Sequence, residues 1–185
     1  MFELDFEKRV TYQLSDTTMA LIPTEVDGEW HTLVYDEKEP STLLIADSPH
    51  HLVNEACENY GEKMISRMDG AKILCDFSSK APIAVSSIHN LFFFPNESPS
   101  SSSCSWFSHS HIRKILSGDF GGSKLLFRNG FELYVPTSKG VMNNQVFRTA
   151  QYRYILSEHL KKGQQKQVLE NILKVFGAYK DTPYV

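Results

Sequence analysis

The sequence predicts an α+β fold: a mainly antiparallel β-sheet with a helix near 49–60 and two C-terminal helices. Three observations carry that expectation. Short apolar-rich runs punctuated by Pro, Gly and Asp fill most of the first 135 positions and read as strands and turns. Ser48-Pro49 supplies a helix N-cap followed by a proline at the first helical position. From about residue 143 the apolar residues switch to helical spacing.

Taken in order, Arg9–Leu14 and Thr18–Ile22 read as strands, the second ended by Pro23. Glu25-Val-Asp-Gly28 turns the chain into Glu29–Asp36, where Trp30, Thr32 and Val34 alternate with His31, Leu33 and Tyr35, and Thr42–Ala46 follows Pro40. These runs form an antiparallel meander. Leu52, Val53, Ala56 and Tyr60 complete the 49–60 helix, with Gly61 as its C-terminal stop. Glu62–Gly70 ends in a turn, and Ala71–Phe77 and Ile83–Ser86 read as strands. Leu91–Phe94 is continuously apolar, which predicts a strand covered on both faces until Pro95 stops it. Asn96–Ser103, with Pro99 and a serine run, has no apolar anchor and reads as a mobile loop inside a single domain spanning 1–185.

Beyond the loop, the alternation of Ser105–Ile115 predicts one strand. Gly118–Gly122 is a turn, and Arg128-Asn129-Gly130 between Lys124–Phe127 and Phe131–Val135 is the strongest hairpin signal in the chain. Over 143–162, a helical projection sends Val146, Phe147, Ala150 and Tyr154 to one side and Gln145, Arg148, Thr149 and Tyr152 to the other. Gly163 ends that helix. A second, 165–176, carries Val168, Leu169, Ile172, Val175 and Phe176 as a stripe for the core or for a partner.

The chain is acidic as a whole, with net charge −3, but the charge is unevenly spread. Residues 1–104 hold 7 Lys and Arg against 17 Asp and Glu, and residues 105–185 hold 12 against 5, so halves of −10 and +7 oppose each other. A basic half attracts polyanions. The acidic N-terminus lacks the basic start and apolar core of a signal peptide. No apolar run approaches the ~18 residues of a membrane span. Three cysteines, Cys57, Cys75 and Cys104, lack paired spacing and favour a reducing compartment. The expectation is a soluble, cytoplasmic protein, associated with the nucleoid and with no membrane partner.

Two chemistries compete for the polar stretch from Cys104 to Arg153. On a strand, His109 and His111 share a face and could begin a metal site for a metal-dependent enzyme, with Cys104 or His89 as further donors. No third ligand stands at motif spacing, and there is no CxxC, HExxH, phosphate loop or nucleophile elbow. Nucleic-acid binding fits better. Gln145, Arg148, Thr149 and Tyr152 offer amide, guanidinium and hydroxyl groups, with Arg113, Lys114, Lys124, Arg128 and Arg153 to grip phosphates. Trp106 is expected to pack rather than touch a ligand.

Asn-Leu-Phe-Phe-Phe-Pro (90–95), Trp-Phe-Ser-His-Ser-His-Ile (106–112), Phe-Arg-Asn-Gly (127–130) and Asn-Gln-Val-Phe-Arg-Thr-Ala (144–150) stand in one order and similar spacing. In this they resemble the competence transcription factor family, ComK, of Gram-positive bacteria. Met-Ala-Leu-Ile-Pro (19–23) with Asp27-Gly28, and Lys-Ala-Pro-Ile (80–83), extend the resemblance to roughly residues 10–155. The resemblance implies an activator of DNA-uptake genes that binds double-stranded DNA at paired A/T-rich boxes through the minor groove. It also implies dimers or higher multimers, contact with RNA polymerase and with a Clp-protease adaptor, and no metal or organic cofactor. Arg113, Lys124, Arg128, Arg148 and Arg153 would then contact phosphates or groove, with Asn144, Gln145, Ser108, His109 and His111 for positioning and readout. Lys80 joins them, as does Arg67, which alone remains of a Gly-Arg-Lys cluster at positions read here as Ser66-Arg67-Met68. Beyond about residue 160 the resemblance fades and the tail is short. A DNA-binding paralogue that does not itself activate is the alternative within the family.

Overall fold

The computed structural model describes residues 6–180, with side chains described as far as 174. The chain runs β1 (Phe6–Arg9), β2 (Thr18–Val26), β3 (Glu29–Asp36), β4 (Thr42–Ile45), α1 (Pro49–Glu58) and α2 (Met64–Cys75). It continues with β5 (Ile83–Ser86), β6 (Leu91–Pro95), β7 (Trp106–Ser108), β8 (Ile112–Ser117), β9 (Ser123–Phe127), β10 (Glu132–Val135) and α3 (Lys139–Lys180). A seven-stranded sheet, β1-β4-β3-β2-β7-β6-β5, lies beside a three-stranded sheet, β10-β9-β8. The α+β class holds.

The period-two alternation of strands explains the layering. Leu21, Phe93 and Trp106 point to one face of the large sheet, where Leu52, Val53, Met64 and Met68 of α1 and α2 close a core. Their chain neighbours Ala20, Phe94 and Phe107 point to the other face, against Ile112, Leu125 and Phe127 of the small sheet and Met142 of α3. β6 is therefore covered on both faces, as its unbroken apolar run predicts.

Several expected elements differ, each for a physical reason. The first strand is Phe6–Arg9, and it pairs parallel with β4, so the meander is not wholly antiparallel. β2 continues through Pro23 to Val26 because its β7 side is paired only at Ala20 and Leu21, leaving the proline on an open edge. Residues 64–75 form a helix where a turn and a strand were expected. Met64, Met68, Ala71 and Cys75 recur at helical spacing on its buried side, and Asp69-Gly70 is only an interior position. Asn54 Oδ1 of α1 accepts the Met64 amide (3.1 Å) and so caps α2.

The expected strand 105–115 is cut by a 3-10 turn at His109–His111 as the chain crosses from the large sheet to the small one. The two expected C-terminal helices are one, since Gly163 costs roughly 1 kcal/mol relative to alanine and does not break α3. Val175 and Phe176 of the expected stripe lie outside the described side chains. The β9–β10 hairpin forms at Asn129-Gly130, with Gly130 at φ +89° and the Phe127 amide donating to the Phe131 carbonyl (2.9 Å). Among the described residues no helix is long and apolar enough to cross a membrane.

Candidate nucleic-acid interface

The 3-10 turn at 109–111 gathers one set of predicted residues. Arg153 reaches it from α3, donating from Nη1 to His109 Nδ1 (2.8 Å) and Ser110 Oγ (3.2 Å) and from Nη2 to Asn90 Oδ1 (2.5 Å). Its guanidinium lies 5.0 Å from the Phe92 ring centre. Burial disfavours that charge, and these acceptors and the ring compensate for it. From the β9–β10 loop, Arg128 Nε donates to the Ser110 carbonyl (2.8 Å), and the exposed tip of its guanidinium has no partner among the described residues.

The two histidines face different partners, which corrects the shared strand face expected for them. His109 receives the Arg153 hydrogen bond; burial, and then Arg153, pull its pKa down to about 4, so the ring is neutral near pH 7. His111 is buried against Ser108 Oγ (2.8 Å) and lies 3.6 Å from Glu37 Oε2. Burial lowers its pKa while Glu37 opposes the shift. A guanidinium hydrogen-bonded to His109 repels a cation, and among the described residues no three His, Cys, Asp or Glu side chains stand together to hold a metal. All three thiols are buried and pushed up in pKa by that burial, which disfavours the thiolate a nucleophile needs.

A second set gathers at the start of α3, and here the helix faces are inverted relative to the projection. Gln145 is 1% exposed, and Thr149 and Tyr152 are also buried, while Phe147 and Tyr154 are each 69% exposed. The polar side faces inward because it meets unpaired carbonyls. Gln145 Nε2 donates to the carbonyls of Lys80 (3.0 Å) and Pro95, and Thr149 Oγ1 donates to the Gln145 carbonyl (2.6 Å). Arg148 donates to Gln145 Oε1 (2.9 Å) and to the Ser79 carbonyl, with its guanidinium 4.4 Å from the Phe77 ring centre. Lys80, at φ +46°, turns its Nζ back to the Asn96 carbonyl (3.4 Å).

Other predicted residues fall elsewhere. Arg67 ties α2 to β5 and to the end of α1 by donating to the carbonyls of Ala84 (2.8 Å) and Tyr60 (3.1 Å). Lys124 is ion-paired to Glu132 and lies 5.4 Å from the Tyr134 ring centre. Trp106 is fully buried. Arg113 and Lys114 sit at an irregularity in the β8–β9 register that turns both side chains outward, and neither makes an ion pair or side-chain hydrogen bond among the described residues. Asn144 is likewise exposed on α3. The sequence reading missed Asn90 and Ser110 as anchors of Arg153. The available signal was Asn90 itself, a turn-favouring residue type directly before the apolar run at 91–94.

The family model described as ComK protein matches residues 9–161. The chain is 28% identical over 143 residues to "Competence transcription factor" of Bacillus subtilis (strain 168), covering 77% of this chain and 73% of that protein. No solved structure matches.

Proposed function

The chain belongs to the ComK family, and from that premise we propose that it is a DNA-binding transcriptional regulator of competence that grips A/T-rich boxes through the minor groove. The observation that carries the reading is the pair of uncommitted cations, Arg113 and Lys114, projecting from the +7 half of the chain beside the turn that Arg153 and Arg128 brace. A/T tracts narrow the minor groove and deepen its negative potential, which suits an inserted arginine or lysine.

The roles then divide. Arg113, Lys114 and the outer tip of Arg128 touch phosphate or groove, and the exposed Asn144 and the Glu132-paired Lys124 add polar contacts further along the surface. Arg153, His109, Ser108 and His111 position the turn from which β8 departs. Gln145, Arg148, Lys80 and Arg67 hold the scaffold under it.

A gel-shift titration of an A/T-box duplex against a G/C-rich duplex, at several salt concentrations, tests this. Preference for the A/T duplex, with log affinity falling linearly in log salt, is expected. Equal affinity for both duplexes, or affinity independent of salt, would overturn it.

A further inference from the structure

The β8–β9 connection is built around a residue that no scaffold role explains. Phe120 is 109% exposed, so its ring has no packing partner, and it sits at φ +52°, ψ +30°. A left-handed backbone is costly for a bulky non-glycine residue and persists only where the surroundings impose it. Here they do. The Gly118 amide donates to the Gly122 carbonyl (3.0 Å), and the Gly122 amide donates back to the Asp119 carbonyl (3.0 Å), closing the turn on itself. Gly122 is seated so tightly on the end of β10 that a Cβ there would lie 2.6 Å from the Val135 carbonyl oxygen. The turn is thus a stiff stem holding one aromatic ring in solvent.

The stem is also the end of the strand that carries Arg113 and Lys114. Between Ser105 and Phe131 the chain has four cations, Arg113, Lys114, Lys124 and Arg128, and one acidic residue, Asp119. A protein partner or a membrane selects a patch of apolar surface. The chain neighbours of Phe120, from Ser117 to Ser123, carry no other apolar side chain. A single flat ring on a stiff stem, with Arg113 and Lys114 at the other end of the same strand, has the shape of the wedges that minor-groove binders insert between base pairs.

We propose that Phe120 is such a wedge, partly unstacking one base step while Arg113 and Lys114, at the other end of β8, hold phosphates further along the duplex. This rests on the DNA-binding reading above. TA steps unstack most easily, so an A/T-rich box supplies the step with the least resistance to insertion.

The test places 2-aminopurine at each TA step of the A/T duplex in turn and compares the full-length chain with Phe120→Ala and Phe120→Gly. Wild type is expected to raise fluorescence at one step several-fold. Both variants should lose that rise and bind about tenfold more weakly with an unchanged salt slope, since no cation is removed. Phe120→Gly should in addition melt higher than wild type, because glycine accepts the left-handed backbone, which separates lost insertion from lost folding. Variants that retain both the fluorescence rise and the affinity would overturn the wedge and leave the DNA-binding reading standing. So would a Phe120→Ala chain that binds normally but loses self-association in sedimentation. A wild-type chain that retards no duplex removes both.

Discussion

At Gln145 an amide of α3 lies sealed beneath the carbonyls of Lys80 and Pro95; about two helical turns further on, Arg153 of the same helix reaches across an open turn to His109, Ser110 and Asn90. Both clusters are polar, both join α3 to the loops of the large sheet, and both arise from motifs in one stretch of sequence. They differ in what remains unspent. Around Gln145 the donors of Arg148 and Lys80 are directed to backbone carbonyls. Around Ser110 the arginines brace a turn whose outward neighbours, Arg113 and Lys114, have no partner among the described residues. Basic composition therefore marks a candidate surface only where the protein's own carbonyls have not already claimed the cations.

Breaking the first cluster should cost most. Gln145→Ala strands buried acceptors at Lys80 and Pro95 and releases Arg148, for about 3 kcal/mol of stability. At roughly 2–4 °C per kcal/mol for a chain of this size, the melting temperature should fall by about 6–12 °C. The neighbouring Asn144→Ala, on the exposed side, should stay within about 0.5 kcal/mol of wild type. Equal melting temperatures for the two variants would erase the distinction between the faces.

The second cluster should respond in the opposite currency. Arg113→Ala with Lys114→Ala is expected to leave stability within about 0.5 kcal/mol. Its affinity for an A/T duplex should drop about tenfold, with the log–log salt slope shallower by about 2. A double variant with the wild-type slope would remove these two side chains from the interface.

A third test sharpens the comparison through pH. His109 has its pKa lowered from 6.5 to about 4, by burial and then by Arg153. Between those values the unfolded chain holds a proton that the folded ring refuses, so acid favours unfolding: stability falls as pH drops from 6.5 towards 4 and is not reduced further by this group below 4. His109→Asn should flatten that part of a melting-temperature profile. A variant whose acid limb matches wild type would show that His109 does not couple to folding.

Much of the scaffold was legible because it depends on local chemistry. Ser48 Oγ accepts the His51 amide (3.2 Å) at the helix start that Ser48-Pro49 predicts. Asn129-Gly130 makes its hairpin because Gly130 accepts a positive φ. The run Leu91–Phe94 is buried on both faces because nothing in it tolerates water. Less of the candidate site was legible. A helical projection sorts Gln145, Thr149 and Tyr152 from Phe147 and Tyr154, yet it carries no sign; it cannot say which side is in. The Ser105–Ile115 alternation likewise hides the change of sheet at His109–His111 that parts the two imidazoles.

The sequence by itself determined the α+β class, the caps and turns, the family and the opposed charges of the two halves, since each follows from residue type, spacing or composition. Tertiary structure alone decided the sense of α3, the fate of each cation and the isolation of Phe120. Those depend on which carbonyls, rings and strand ends arrive opposite a side chain, and contacts between residues far apart in the chain leave no local pattern to read.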